Sequence, residues 1–362
     1  MKLKFKLPFG IDWSLFLLPL LLTCLGVAVI FSITYGQQTY LALDQGIYFL
    51  FGVVIAIALT FLDYRSLKGL YLVLYLIGLG LLLLVLFLGT KNFGATRWIN
   101  LYIFQLQPSE LFKVIILIVM AKLFADWEKV TVSRIILILF LVALPIILIF
   151  RQPDLGTASV IFIELITILF LSPLKKVYLI IALGLILAFS PLGWHFLKTY
   201  QKNRIVSFIN PSADPRGAGY NVSQAKITVG SGGLWGMGLG KGTQSQLNFL
   251  PVAYSDFIFA GTAEATGFIG STFLIVLLII LVFRVVNVAK VAKDSFGMYF
   301  AGGFAGILLF QILVNIGMNL GIMPVTGIPL PFVSYGGTAM ITNMAAIGIL
   351  QSIYLRHKKI TF

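Results

Sequence analysis

The sequence predicts an all-α membrane protein that crosses the bilayer ten times, and composition and hydropathy carry this prediction. Hydrophobic residues make up 59% of the 362 residues, and charged residues only 10%. The mean hydropathy is +1.02, and long apolar runs such as LLLLVLFL and LLIILVF recur along the chain. A soluble domain does not bury that much apolar surface in one core, so the bilayer must serve as the solvent.

The apolar stretches give the predicted spans in order. The first begins near Ser14, runs for about 20 residues and lacks a small-residue cleavage site, so we expect a retained span and not a signal peptide. Connections such as 172–176 are short, which forces neighbouring helices to lie antiparallel in one bundle, and we expect residues 1–362 to form a single membrane domain. The nine further spans are predicted at roughly 46–62, 70–88, 107–123, 134–150, 156–172, 177–193, 256–283, 298–318 and 333–355.

Lysine and arginine predict the orientation of these spans. An even number of spans puts both termini on one side, and sixteen of the 26 basic residues fall on that side. The short connections on the opposite side hold only Lys91, Arg97 and Arg151. Because cytoplasmic connections of membrane proteins are enriched in basic residues, both termini are predicted to be cytoplasmic. One large extracytoplasmic loop, residues 194–255, then joins the seventh and eighth spans.

Charge and cysteine content exclude several classes of function. The net charge of +14 follows this cytoplasmic bias, which favours attraction to anionic lipid headgroups, and we expect no nucleic-acid partner. Cys24 is the single cysteine, so no internal disulfide or cysteine metal cluster is possible. His195 and His357 fall on opposite sides of the membrane, and no protein metal site is predicted.

Four polar connections are predicted to converge on the outer side and to wall a cavity at the bilayer surface. They comprise residues 94–100 leading to 107–110, residues 151–157, the long loop, and the uncharged segment 323–331 with its three prolines. The prolines stiffen that last segment because each fixes its own φ angle.

Asp256 stands at the junction between the long loop and the eighth span. A carboxylate at a membrane edge is costly to retain, which favours a function for it. The alternative is an N-cap of the eighth span, since aspartate is preferred at that position and at the positive end of the helix dipole. A capping role would lower the pKa of the carboxyl group, whereas burial beside Phe257 and Phe259 would raise it. The sequence leaves both alternatives open.

Three further acids lie in or beside predicted spans. Glu110 and Lys113 are three residues apart on one helix, so they share a face and are predicted either to pair or to clamp substrate. Asp154 precedes Leu155 and is predicted to cap a helix or to bind a nearby cation or headgroup. Glu164 falls in mid-span, where it must be neutral, paired or lining water, with a proton or ion path as its functional interpretation.

The long loop is rich in glycine, with seven in the thirteen residues 230–242. Such a segment either cradles phosphate with its backbone amides or makes tight turns. The specific phosphate-loop template fails, because Trp235 and Gly242 occupy positions that need glycine and a hydroxyl residue.

Eight short motifs, in order over essentially the whole chain, closely resemble the SEDS family (shape, elongation, division and sporulation). With the short N-terminus and the string at 242–246, the resemblance is strongest to its elongation members. The motifs are GA at 94–95 with RW at 97–98, QPSE at 107–110, QPDLGT at 152–157, NP at 210–211 with DP at 214–215, GAGYN at 217–221, GKGTQSQ at 240–246, DFIFA at 256–260 and PLPFVSYGG at 329–337.

The resemblance implies a peptidoglycan glycosyltransferase at the outer face of the bacterial cytoplasmic membrane, which polymerises lipid II into a growing glycan strand. It further implies a class B penicillin-binding protein as the cross-linking partner. The family's essential aspartate matches Asp256, its paired Glu and Lys match Glu110 and Lys113, and its Gln-Pro-Asp aspartate matches Asp154. The chain departs from the family at 251–255, which lacks charged residues, and after Asp256, where Glu264 stands without a second acid.

For this activity the residues predict inverting transfer with Asp256 as general base, since a pyrophosphate leaving group needs no protonating acid. A divalent cation, Mg²⁺ or Mn²⁺, could share the charge on the leaving group. A competing hypothesis is a flippase or transporter of lipid-linked precursor, motivated by the ten spans and Glu164. For the glycosyltransferase, the residues predicted to bind pyrophosphate and sugar are Lys113, Arg97, Arg204, Arg216 and Lys241, with Gln244 and Gln246 as hydrogen-bond donors.

Overall fold

The structure is a computed structural model that describes residues 10–92, 95–100, 105–127, 129–181, 184, 199–210, 217–247, 249–250 and 252–357. It is built mainly of helices. Their bounds are α1 Ser14–Ile33, α2 Tyr40–Phe61, α3 Leu67–Leu88, α4 Pro108–Asp126, α5 Val132–Arg151, α6 Leu155–Leu171, α7 Thr199–Ile209, α8 Ala218–Ser231, α9 Thr243–Gln246, α10 Ile258–Val291, α11 Ser295–Asn319 and α12 Gly337–Leu355.

Seven of these helices are long and apolar enough to cross a membrane, namely α1, α2, α3, α5, α10, α11 and α12. Two further predicted spans, α4 and α6, also form helices, but α6 is shorter than these seven and α4 carries more charged residues. Helix α6 has 17 residues, and α4 has 19 residues and contains Glu110 and Lys113. The predicted seventh span begins within a helical stretch at 176–181 and otherwise lies outside the described residues, as do both termini. Ten crossings and their orientation therefore stay predictions.

The ends of the helices follow from local chemistry. Pro108 opens α4 at a position where a missing backbone N–H costs nothing. The carboxylate of Asp294 caps α11 by accepting a hydrogen bond from the Gly297 amide at 2.9 Å. Helix α10 is interrupted at Gly267, whose φ of 67° and ψ of −165° are not helical. Glycine tolerates this conformation because it has no Cβ.

The fold is mostly helical, as the sequence predicts, but one connection holds strands that the sequence did not predict. Between α3 and α4 the chain forms a small antiparallel sheet of three strands, β1 Thr90–Asn92, β2 Ala95–Asn100 and β3 Gln105–Leu106, in the order β1-β2-β3. The alternating Thr96, Trp98 and Asn100 side chains suit a short paired strand better than the open polar loop that the sequence suggested.

The long loop is also more ordered than expected. It contains α7, α8 and α9 within its described part, joined by the glycine-rich segment, defined as residues 230–242. Helix α8 packs against both α10 and α11. These short helices are polar, so a search for apolar spans passes over them.

Helix α11 lies at the centre of the bundle and packs against α4, α6, α10 and α12. Close packing depends on small residues. A Cβ at Gly303 would lie 2.4 Å from Leu117 of α4, and one at Gly306 would lie 2.4 Å from Thr167 of α6. A Cβ at Gly302 would lie 2.4 Å from Leu171 of α6, so all three glycines let α11 approach its neighbours closely.

Candidate functional site

Asp256 lies beside the first turn of α10 without capping it. The helix begins at Ile258, its N-cap is Phe257, and no side chain caps it. The carboxylate Oδ1 of Asp256 instead accepts a hydrogen bond from Ser255 Oγ at 3.2 Å, and the side chain is partly exposed. The N-cap alternative for Asp256 is therefore wrong, and the carboxyl group is available for other contacts.

Two asparagines of α11 hold the backbone of Asp256. The side-chain amides of Asn315 and Asn319 donate to the Asp256 carbonyl oxygen at 3.0 and 3.1 Å. Asn315 also donates to the carbonyl of Ile328 at 2.8 Å, while Asn319 accepts from the amide of Ala260 at 3.0 Å. Both asparagines are fully buried. A single pair of amides therefore ties together α10, α11 and the proline-rich segment 323–331.

The proline-rich segment forms a wall against the Asp256 carboxylate. A Cβ added at Gly327, whose φ is +75°, would lie 3.5 Å from Asp256 Oδ2. Ser334 fixes the far end of this wall, because its hydroxyl donates to the Ser255 carbonyl at 2.7 Å and accepts from the Leu330 amide at 2.8 Å. These two hydrogen bonds fix the position of the wall relative to Ser255, the residue next to Asp256.

Arg97 and Asp154 form a second part of the site. Arg97 on β2 donates from Nε to the Gln152 carbonyl at 3.1 Å and from a second nitrogen to the Pro153 carbonyl. Its Nη1 lies 3.8 Å from Asp154 Oδ1. These contacts join the connection before α4 to the connection before α6, as the sequence predicted.

Asp154 is a helix cap, which confirms one of its two interpretations. Its Oδ1 accepts from the Thr157 amide at 3.2 Å. Its Oδ2 accepts from the hydroxyls of Thr157 and Ser109 and from the amide of Gln107 at 2.9–3.2 Å. The side chain is 2% exposed. With its acceptor positions occupied, Asp154 is better suited to orienting Arg97 than to binding substrate directly.

Arg204 on α7 reaches the same region and donates to the Thr326 carbonyl at 3.1 Å. Thr326 is also where α6 approaches the proline-rich wall, because a Cβ at Gly156 would lie 3.0 Å from its carbonyl oxygen. Asp256, Arg97, Asp154 and Arg204, predicted from separate connections, are thus brought together.

The electrostatics of Asp256 reflect this setting. Burial of the carboxyl group raises its pKa above the ordinary aspartate value, and the charge of Asp154 adds to the rise. The Ser255 hydrogen bond and the charges of Arg204 and Arg97 lower the pKa. Desolvation dominates, so the group holds a proton more readily than a free aspartate and is a correspondingly stronger base when ionised.

Glu110 and Lys113 form a buried ion pair on α4. Lys113 Nζ is 2.6 Å from Glu110 Oε2, and the two side chains are only 2% and 4% exposed. This geometry favours the structural pair over the substrate clamp, because a buried lysine that is already paired has little access to a substrate at the surface.

The glycine-rich segment makes tight turns against α10, and this geometry argues against the phosphate cradle. The amides of Met237 and Gly238 donate to the carbonyls of Glu264 and Ala265 at 2.9 and 3.0 Å. A Cβ at Gly232 would lie 1.9 Å from the Ala263 carbonyl oxygen. The glycines are needed for this close approach of two backbones.

The remaining predicted ligands are separated from Asp256. The fully buried Glu264 accepts from the amides of Gln244 and Ser245 at 2.8 and 3.1 Å, so it fixes the start of α9. Gln246 donates to the Gly240 carbonyl, and Lys241 is exposed. Within the described part of the chain, no hydrogen bond or ion pair joins Lys241, Gln244 or Gln246 to Asp256. Arg216 lies outside the described residues.

Metal ligands do not gather here either. Among the described residues, no group of three or more His, Cys, Asp or Glu side chains could hold a metal ion. The divalent cation suggested for the leaving group stays a prediction.

Sequence reasoning missed Asn315, Asn319 and the capping role of Glu264. A signal for the asparagines was present, because two amides four residues apart share one face of an otherwise apolar helix. Glu264 gave no comparable signal, since its partners are backbone amides some 20 positions earlier in the chain.

Comparison with known proteins assigns this arrangement to a family. The sequence matches the family described as cell cycle protein (FtsW, RodA and SpoVE) over residues 7–359. It is 40% identical to the peptidoglycan glycosyltransferase MrdB of Escherichia coli K12 over 312 residues, covering 86% of this chain and 84% of that protein. It is 35% identical to the probable peptidoglycan glycosyltransferase FtsW of Geobacter metallireducens, covering 99% of each.

Solved structures agree. The fold is similar to a chain of a peptidoglycan synthase complex described as coordinating polymerization and crosslinking, with a TM-score of 0.85, 31% identity and coverage of 96% of this chain and 99% of that one. The Thermus thermophilus rod shape determining protein RodA aligns with a TM-score of 0.73 and 29% identity, covering 96% and 97%. With a family match over nearly its entire length, the chain belongs to the FtsW, RodA and SpoVE family of cell cycle proteins.

Proposed function

We propose that this protein is a peptidoglycan glycosyltransferase that polymerises lipid II at the outer face of the bacterial cytoplasmic membrane, with Asp256 as general base. Relatives named peptidoglycan glycosyltransferase support the activity. The observation that carries the assignment of the base is the Asp256 carboxylate itself. The residue as a whole is partly exposed, its side chain does not cap α10, and its carboxylate accepts a hydrogen bond only from Ser255 among the described residues.

The chemistry needs one base and several cations. In a lipid-linked donor the sugar is already attached to pyrophosphate, so the leaving group departs without protonation. Asp256 would accept the proton of the acceptor sugar's 4-hydroxyl while that oxygen attacks the anomeric carbon of the donor, with inversion. The carbon–pyrophosphate bond breaks as the new glycosidic bond forms, and the proton passes to the carboxylate.

Arg97 and Arg204 are the cations best placed to stabilise the departing pyrophosphate. Both lie close enough to influence the pKa of Asp256, and guanidinium groups match phosphate oxygens in a two-pronged geometry. Each is oriented by backbone carbonyls, at Gln152 and Thr326 respectively. Lys241 and Arg216 stay predicted contributors, whereas Lys113 is committed to Glu110.

A transpeptidase partner fits this activity. A solved relative belongs to a synthase complex whose description joins polymerization with crosslinking. We propose that this protein likewise works with a class B penicillin-binding protein, which would cross-link the emerging strand.

Purified protein incubated with lipid II in detergent tests the activity. We expect glycan strands to form without any membrane to separate two compartments, an outcome that a flippase or transporter does not produce. Absence of strands, with the protein folded and its transpeptidase partner supplied, would overturn the enzymatic proposal.

A further inference from the structure

A second group of polar side chains lies inside the bundle, remote from the surface. We call Glu110, Lys113, Glu164 and Gln311 the buried polar cluster. Their exposures are 3%, 2%, 0% and 1% respectively. They come from α4, α6 and α11, and each of these three helices packs against the other two.

Packing contacts place Lys113 and Glu164 at one level of the bundle, with Gln311 one helical turn further along. A Cβ at Gly303 of α11 would touch both Leu117 of α4 and Ile168 of α6. Lys113 lies one helical turn before Leu117, and Glu164 lies one turn before Ile168. Gln311 lies two turns beyond Gly303 on the same stripe as Ile307. Since α11 runs antiparallel to α4 and α6, all of these steps lead in the same direction along the bundle.

Several oxygen atoms of the cluster lack a hydrogen-bond partner. Neither carboxylate oxygen of Glu164 has a hydrogen-bond partner within the described structure, and the same is true of Gln311 Oε1. Lys113 Nζ lies 2.6 Å from Glu110 Oε2 as an ion pair, but neither atom has a partner with hydrogen-bond geometry in the described structure. Buried polar atoms of native proteins are nearly always hydrogen-bonded, so these unpartnered atoms call for an explanation.

The formal charge of the cluster also indicates that a positive charge is missing. With Glu110, Lys113 and Glu164 all ionised, the cluster would carry one net negative charge in an apolar surrounding. Helix α11 contains no charged residue, and α5, which also packs on α6, has only Arg134 and Arg151 at its two ends. An uncompensated charge at this depth is costly, and one bound proton removes it.

We propose that the buried polar cluster is a proton-binding site in which Glu164 carries the proton. The neutral carboxyl group donates through its O–H to Gln311 Oε1, directly or through an ordered water, and accepts from Lys113 through its carbonyl oxygen. Glu110 and Lys113 stay ionised and paired. One proton thus supplies both the missing donor and the missing charge.

The site has a positioning role. Ser109, which donates to Asp154 at 3.2 Å, immediately precedes Glu110 on α4. The neutral cluster fixes α4 against α6 at the depth where the Asp154 and Arg97 contacts begin. This inference does not depend on the assignment of Asp256 as the base.

Infrared spectroscopy of the full-length protein in detergent at neutral pH tests the proposal. We expect a carbonyl stretch of a protonated carboxylic acid that is absent from Glu164→Gln, an isostere of the neutral form. The matched control is Glu264→Gln, because Glu264 is equally buried but both of its carboxylate oxygens already accept hydrogen bonds from backbone amides. The band should persist in that control.

Thermal unfolding supplies the second measurement. Glu164→Gln should melt at the wild-type temperature and keep the wild-type rate of polymerisation, whereas Glu164→Leu, which can neither donate nor accept, should melt lower. A wild-type protein without the band, or a Glu164→Gln protein that does not fold, would overturn the proposal. Stability that rises with sodium concentration in wild type and not in Glu164→Gln would indicate a bound metal cation and would also overturn it.

Discussion

The side-chain amide of Asn315 lies 3.0 Å from the backbone carbonyl oxygen of Asp256 and 2.8 Å from that of Ile328. One buried side chain therefore sets the separation between the proposed base and the wall that faces it. Neither carbonyl oxygen accepts a backbone hydrogen bond of a helix or a strand. The position of Asp256 therefore depends on a side chain about 60 positions further along the chain.

Replacing Asn315 by Leu should impair both stability and catalysis. The Ile328 carbonyl would lose its side-chain donor, at a cost of about 1–3 kcal/mol before relaxation, whereas the Asp256 carbonyl would keep the Asn319 amide. Thermal unfolding and the polymerisation rate measure the two effects. Thr342→Val is the matched control, because the Thr342 hydroxyl is buried without a hydrogen-bond partner in the described structure. An Asn315→Leu protein as active as this control would show that the bridge does not position Asp256.

Gly327→Ala should lower the rate of polymerisation. At a φ of +75°, a Cβ costs about 1 kcal/mol of backbone strain, and here it would also lie 3.5 Å from Asp256 Oδ2. Gly36→Ala controls for the strain alone, since Gly36 has a φ of +77° and no atom within 4 Å of its added Cβ. Equal losses of activity in both variants would contradict a specific role for the wall at Gly327.

Gly232→Ala should destabilise the protein and detach the glycine-rich segment from α10. Its Cβ would lie 1.9 Å from the Ala263 carbonyl oxygen, so one of the two backbones must move. Gly230→Ala has open space around its Cβ and should be neutral or stabilising by about 0.5–1 kcal/mol, because alanine is the better helix former. Melting temperatures of the two variants compare these effects directly. A Gly232→Ala protein as stable as Gly230→Ala would be inconsistent with the described packing.

The pH dependence of the reaction follows from the raised pKa of Asp256. A base must be ionised, so kcat/KM should fall as pH decreases through that raised pKa and should be constant well above it.

The free energy of unfolding should change with pH in the opposite direction to the rate. The ionised form is disfavoured in the folded state, so wild type loses stability as pH rises from the ordinary aspartate pKa through the raised one. Asp256→Asn should therefore be more stable than wild type at neutral pH, and this difference should vanish in acid. A wild-type protein that gains stability over the same interval would contradict burial as the dominant cause of the shift.

Much of the helical architecture could be predicted from hydropathy, because spans must satisfy their backbone hydrogen bonds internally and be apolar on the lipid side. The elements that were missed are polar. Helices α7, α8 and α9 and the strands β1 to β3 are too short and too polar to stand out as spans, and they depend on contacts with the bundle. The start of α10 at Ile258 and its break at Gly267 likewise depend on the glycine-rich segment that packs there.

At the candidate site, the charged residues could be predicted and their arrangement could not. Asp256, Arg97, Asp154 and Arg204 stand out as polar residues at the ends of apolar stretches. Whether Asp256 caps its helix depends on where α10 begins, which differs from the sequence expectation by only two residues. Lys113 had the right charge for pyrophosphate, but its burial against Glu110 is a tertiary property that spacing alone does not reveal.

The Asp256 carboxylate is proposed to accept the proton of the attacking hydroxyl, and single-turnover kinetics of Asp256→Asn isolate that step. Purified wild type, Asp256→Asn and the exposed-acid control Asp126→Asn would be mixed with labelled lipid II in detergent, with lipid II binding and strand formation measured on the same samples. Asp256→Asn should bind lipid II as wild type does and form no strands, while Asp126→Asn should polymerise normally. Strand formation by Asp256→Asn at the wild-type rate would contradict the account.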